Sequence, residues 1–195
     1  NFNVNRGAYN HTAKTSDDQK QATQAAVLNK NFRQAINFAI DRTAYSAQSN
    51  GEEAAKNTLR NTLVPPTFVQ VGDKTMDKTV SSKLVNYDTQ WANMNLEDAQ
   101  DGYFNKEKAQ VKFAEAKKEL EDQGVTFPIH LDLPVDQVNK TLLAGTNSIK
   151  QSIESTLGSE NVVVDVIQLS TDDYTNATVQ APTPADHDYD LNLDG

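Results

Sequence analysis

Cysteine is absent from the 195 residues, which excludes disulfides, thiolate nucleophiles and cysteine-ligated zinc. No run of eighteen apolar residues occurs, so no segment reads as a membrane-spanning helix. The opening Asn-Phe-Asn-Val-Asn-Arg lacks the charged-then-apolar layout of a secretion signal, as expected of a cytosolic chain or of one whose leader has been removed. Glycine is scarce, at eight residues, and none falls in a phosphate-cradling Gly-x-x-x-x-Gly-Lys or Gly-x-Gly-x-x-Gly. Serines are plentiful, but none sits in Gly-x-Ser-x-Gly, which leaves a hydrolase reading without its usual motif. Basic clusters are missing too. With 27 acidic against 18 basic side chains the net charge is −9, the wrong sign for a nucleic-acid partner.

What is present is a patterned but lean apolar set, 37% of residues, enough for one domain with a thin core. Phe2 to Arg6 alternates as a short strand. Asp17 and Asp18 suit a helix N-terminus, and a polar, alanine-rich helix follows to Leu28. Phe32, Ala35, Ile36, Ala39, Ile40 and Ala47 recur at three- and four-residue steps, which predicts one buried helix from Asn31 to a stop at Gly51. Leu63-Val64-Pro65-Pro66 breaks regular structure, and residues 67–104, with no sustained period, read as an irregular surface excursion. Its Tyr87, Trp91 and Tyr103 suit either a recognition surface or a pin holding the loop to the body.

Asn105 caps a further helix whose Ala109, Phe113, Ala116 and Leu120 trace one face up to Gly124. A strand from Phe127 ends at Pro134; a helix carrying Val138, Leu142, Ile149, Ile153 and Leu157 closes at Gly158; Val162 to Leu169 is a β-branched strand. Ser170 and Thr171 begin a short helix, and Tyr189 to Leu193 alternates again. Strands alternating with helices in this order predict an α/β layer structure with a mixed, mostly parallel sheet flanked by helices.

Metal and acid–base candidates are weak. His11, His130 and His187 lie on three elements with no i, i+4 pair, and adjacent acids such as Asp172-Asp173 do not face one another on a helix. Asp190-Leu191-Asn192-Leu193-Asp194-Gly195 fits the first six positions of a calcium loop, so Asp190, Asn192 and Asp194 define an alternative reading as a small calcium-binding surface module. The bidentate glutamate such a loop needs six residues further on does not follow.

The stretch Asn31-Phe-Arg-Gln-Ala-Ile-Asn-Phe-Ala-Ile-Asp-Arg-Thr-Ala-Tyr resembles the Arg-Gln-Ala helix of bacterial peptide-binding proteins that serve ABC importers, the extracellular solute-binding family 5. Phe2-Asn-x-Asn, Pro65-Pro66, Phe104-Asn-Lys-Glu-Lys-Ala-Gln and the final Asp188-Tyr-Asp-Leu-Asn-Leu-Asp-Gly are similar to further family segments in the same order. The Asn/Lys-rich version here is most like that of streptococcal oligopeptide-binding lipoproteins.

The resemblance implies a periplasmic-binding-protein-like (class II) lobe. It implies that residues 1–195 form a single lobe, domain III-like, excised from a larger two-lobed receptor. The whole receptor would be extracellular, anchored through a lipidated N-terminus outside this chain, and would hand oligopeptides to a membrane permease. It would be a binding protein and not an enzyme, with no cofactor and no resident metal. One half of the cleft would come from this chain and the other from the remaining lobe. Ligands of α/β sheets bind at the carboxyl end of the strands, and the candidate peptide contacts are Asn192, Leu193, Asp194 and Gly195, with Asn5 and Arg6 at the other chain end. Arg33 and Asp41 in the resembling helix are expected to be structural.

Overall fold

The computed structural model describes residues 1–193. Helix α1, Asp17–Leu28, begins at Ser16, whose hydroxyl accepts from the Gln19 backbone N–H. Helix α2 is Lys30–Ala39 and α3 is Arg42–Asn50. A two-residue hairpin, β1 (Gln70–Val71) with β2 (Lys74–Thr75), leads into α4, Met76–Leu84. Helix α5 is Lys106–Glu121, capped by the Asn105 carboxamide, and strand β3 is Ile129–Asp136. Helix α6, Lys140–Leu157, strand β4, Val162–Leu169, and the short α7, Thr171–Ala177, complete the chain.

β3 and β4 pair in parallel, Ile129 opposite Val162 through Asp136 opposite Leu169. Ile129, Leu131, Leu133 and Val135, at the period of two that puts them on one face, are fully buried, and α6 packs on both strands. Beneath lies a helical layer in which α2 contacts α5 and α3 contacts α6. Gly124 (φ +81°) and Gly158 (φ +87°) take the left-handed backbone that ends α5 and α6 as their positions suggested.

The expected single helix from residue 31 to 51 is two. Ile40 and Asp41 are extended; the Asp41 carboxylate accepts from Ala44 N–H and caps α3. The backbone groups released at the break are both satisfied by Ser152 of α6, whose hydroxyl donates to the Ala39 carbonyl (2.6 Å) and accepts from Asp41 N–H (2.9 Å). The apolar period ran on past the break, although α2 packs mainly on α5 while α3 packs on α6 with Ser46 as its one buried residue. Asp41 is thus structural, as is Arg33, whose Nη1 donates to the Val27 carbonyl (2.7 Å).

The strand from Phe127 does not stop at Pro134 but runs to Asp136. Ile129 and Gln137 donate toward the β4 side, whereas Asp132 points its backbone the other way. Pro134 shares the parity of Asp132, so its missing N–H faces the side of residues 190–192, away from β4, and removes no bond of the β3–β4 ladder. Residues 67–104 are more ordered than their pattern suggested: besides the hairpin and α4, a short 3-10 turn spans Thr89–Trp91, and Trp91, Met94 and Leu96 are core residues. The aromatic ring of Trp91 lies 4.7 Å from that of Phe38, which pins the segment to the body. Neither outer strand forms fully. Phe2 and Leu191 make one isolated antiparallel bridge, and the Asn3 side chain ends the extension by accepting from Asn5 N–H. Among the described residues, therefore, the parallel sheet has two strands, and the only other sheet is the hairpin.

The Asn105 cap joins the 67–104 segment to α5, and its carboxamide accepts from Lys108 N–H at 2.9 Å. Asn105→Ala should lower stability by about 1 kcal/mol, read as a shift in the urea midpoint at unchanged slope. No measurable shift would mean that α5 is held by its packing on α2 and α6 without help from the cap.

Candidate functional site

The first residues and residues 190–192 lie side by side. Asn1 and Asn192 exchange backbone hydrogen bonds of 2.6 and 3.0 Å, and Asn3 N–H donates to the Asp190 carbonyl at 3.0 Å. On their other side Asp190 and Leu191 both donate to the Asp132 carbonyl at 3.1 Å. Residues 1–3, residues 190–192, β3 and β4 thus form one row.

A buried ionic lattice locks this row. Arg6 Nη1 reaches Asp132 at 2.7 Å and Asp190 at 3.0 Å, and Nη2 reaches Asp188 at 2.8 Å. Lys14 Nζ bridges Asp132 (2.8 Å) and Asp190. The side chains of all five are at most 3% exposed. Arg6 Nε donates to the Ala8 carbonyl, the Tyr9 ring covers the guanidinium at 4.2 Å, and Asp132 accepts further from Thr12 Oγ1 and Ala13 N–H. Burial pushes the Asp132 carboxyl upward, but the Lys14 charge and the hydrogen bonds from Lys14, Thr12 and Ala13 outweigh it and hold the group below the usual carboxylate range. Burial likewise disfavours charged Arg6, yet Asp190, Asp188 and Asp132 raise its pKa above the ordinary value.

This geometry places the candidate residues differently from one another. Arg6 turns inward, its guanidinium committed to three carboxylates and a carbonyl, so it fixes the edge from behind. Asn5 is exposed beside it. Asn192 is buried, paired through its backbone with Asn1, and Leu193 is half-buried against the core. Asp194 and Gly195 lie outside the described residues. The calcium reading loses its first ligand, because the Asp190 carboxylate accepts from Lys14 and from Asp132 N–H. Among the described residues no group of three or more His, Cys, Asp or Glu side chains is placed to hold a metal ion.

Lys14, Asp132 and Asp188 were missed from the sequence. The available signal was Leu131-Asp132-Leu133: a carboxylate in the middle of an apolar strand has to find a buried cation. At the carboxyl end of β3 and β4, Thr171 Oγ1 donates to Asp136, Gln137 N–H to the Leu169 carbonyl, and the capped starts of α6 and α7 stand alongside. This rim offers exposed hydrogen-bonding groups. A His130–Asp165 pair (2.8 Å) lies across β3 and β4, and among the described residues no hydroxyl hydrogen-bonds that imidazole.

No family model matches the chain. It is homologous to streptococcal oligopeptide-binding proteins: 57% identical over 191 residues to AliB of Streptococcus pneumoniae, 53% over 190 residues to SarA of Streptococcus gordonii, and 50% over 190 residues to AmiA of S. pneumoniae. These alignments cover 97–98% of this chain and 29% of each relative's length. Among solved structures it is similar to Listeria monocytogenes OppA bound to peptide, with a TM-score of 0.51 and 21% identity over 98% of this chain and 31% of that one. The substrate-binding domain of an oligopeptide ABC transporter from Bacillus anthracis gives the same TM-score at 19% identity over 84% of this chain and 25% of that one. The fold is thus that of a segment of such substrate-binding domains.

Proposed function

We propose that this chain, a homologue of one segment of the streptococcal oligopeptide-binding proteins, is one lobe of a two-lobed receptor that captures extracellular oligopeptides for an ABC importer. The observation that carries the reading is identity of 50–57% along nearly the whole chain to proteins named for oligopeptide binding. In physical terms, an extended peptide offers a row of backbone donors and acceptors that a receptor pairs irrespective of sequence, while side chains enter roomy pockets. Two lobes closing on it exclude water and mark the receptor as loaded for the permease.

In this reading the chain is a single class II-type lobe, domain III-like, and supplies half of the cleft without catalysis. On the same reading a lipidated N-terminus holds the receptor at the cell surface. Asn5, Asn192, Leu193, Asp194 and Gly195 contact or flank the peptide, and Arg6 acts through Asp188 and Asp190 by holding the last segment in place.

The test is retention of peptides from a random hexapeptide library, read by native mass spectrometry on the whole receptor and on the 195-residue chain. The whole receptor is expected to retain peptides and the chain alone to retain none. Sub-micromolar binding by the chain alone would overturn the split cleft; no retention by the whole receptor would overturn the function.

A further inference from the structure

Strand β4 has β3 on one side and an outer edge on the other. The Asn161 and Leu169 carbonyls accept from Ile129 and Gln137, so the odd-numbered residues of β4 turn their backbone toward β3, while Val162, Val164, Val166 and Gln168 turn theirs outward. The Val162 N–H is taken by the Gly158 carbonyl. The outward backbone groups of Val166 and Gln168 have no hydrogen-bond partner among the described residues. Such an edge is a template for a further strand. β4 itself carries few of the guards that edge strands use. Val-Val-Val-Asp-Val-Ile-Gln-Leu holds five β-branched side chains and neither proline nor glycine, and its one charge, Asp165, is paired with His130 of β3 at 2.8 Å.

The guard comes from α6. Glu154 Oε1 accepts from the Val164 N–H at 2.9 Å, Lys150 Nζ donates to the Val164 carbonyl at 2.6 Å, and the two side chains pair with each other at 2.7 Å. A pair at i, i+4 on a helix surface is ordinarily a minor contact. This one presents Val164 with the acceptor and the donor that a residue of a neighbouring strand would present, and the charge on each strengthens the bond it makes.

We propose that Lys150 and Glu154 form a clamp that occupies the outer edge of β4 and so keeps it from pairing with the β4 strand of a second copy. A second copy is the partner that the register favours. Two β4 strands related by a two-fold axis at Val166 run antiparallel, with Val166 opposite Val166 and Val164 opposite Gln168, and every outward group of these residues then finds a partner. Asp165 falls opposite Ile167, so no like charges face one another across the pair. With Val164 clamped only the central Val166 pair remains, too short a ladder to hold two chains together. The inference stands independently of the peptide-binding reading.

Analytical ultracentrifugation of the chain and of its Lys150→Ala/Glu154→Ala variant tests the clamp. The unmodified chain should remain monomeric at concentrations at least tenfold above those at which the double variant, its circular dichroism unchanged, self-associates. Adding Val166→Pro should return the variant to monomer, because the N–H removed faces outward and the β3–β4 ladder loses no bond. A double variant as monomeric as the unmodified chain would overturn the clamp. So would association that Val166→Pro leaves untouched, since it would run through partly unfolded chains and not through the edge. Amide exchange on the unmodified chain requires no variant and decides the matter should the double variant fail to fold. The Val164 amide should exchange at least tenfold more slowly than those of Val166 and Gln168, and equal rates at the three positions would mean that Val164 is unguarded.

Discussion

Replacing Asp132 with alanine lowers folding stability by about 3–5 kcal/mol, the loss expected when one member of a buried ion cluster is removed and its partners stay charged. Lys14 and Arg6, with side chains 0% and 2% exposed, both point at Asp132 Oδ2 and have no route to water without disturbing residues 6–14. The same substitution strips Thr12 Oγ1 and Ala13 N–H of their acceptor. Urea unfolding of both proteins measures the difference, and a loss under about 1 kcal/mol, the level of an exposed pair, would show that water penetrates the lattice. The acid limb gives a second reading of the same residue. The Asp132 pKa is depressed in the folded chain, so its contribution is fully present above the unfolded carboxylate value of about 3.9 and disappears as pH falls through the lower folded value. Below about pH 4 the unmodified chain should lose stability with a steeper slope than Asp132→Ala, which has no such proton to take up.

That lattice also marks where sequence reasoning stops. Helices α1 and α5, strand β4 and the Ser170 cap were legible because each depends on neighbours within a few residues: a period, a capping side chain, a terminal glycine. Arg6, Lys14, Asp132, Asp188 and Asp190 come from three distant segments, and nothing local distinguishes them from solvated charge. Arg6 was named from its place near the chain's start as a candidate peptide contact, whereas its burial among three carboxylates depends on what packs over it. The break at Ile40–Asp41 was hidden for a related reason. Its stability rests on Ser152, more than a hundred positions away, while the apolar stripe continued past it. Pro134 misled because a proline stops a strand only where its N–H would face a partner. The resemblance at residues 31–45 escaped these limits, since a pattern of identities carries the tertiary constraints without deriving them.

The second large effect belongs to Phe38. Phe38→Ala should destabilise the chain by about 3–5 kcal/mol, as large-to-small changes of fully buried aromatic residues do. Phe38 is 0% exposed and meets two elements at once: its ring faces Trp91 of the Thr89–Trp91 turn at 4.7 Å, while on α5 the Lys108 ammonium lies 5.7 Å from its centroid and the cap Asn105 donates its N–H to the Phe38 carbonyl at 2.9 Å. The ring is what the 67–104 segment rests on, because Trp91, Met94 and Leu96 are that segment's buried anchors. Its removal should therefore act unevenly. In the unmodified chain Trp91 fluorescence and far-ultraviolet circular dichroism should report one urea transition, as a single cooperative unit does. In Phe38→Ala the fluorescence transition should come at lower urea than the loss of helix, since the segment detaches while α2, α5, α6 and the strands still share Ile36, Phe113 and Ile153. If instead the two transitions move down together, the segment unfolds only with the core. Phe38 would then be one more contributor to a common interior and not the anchor of a separable layer.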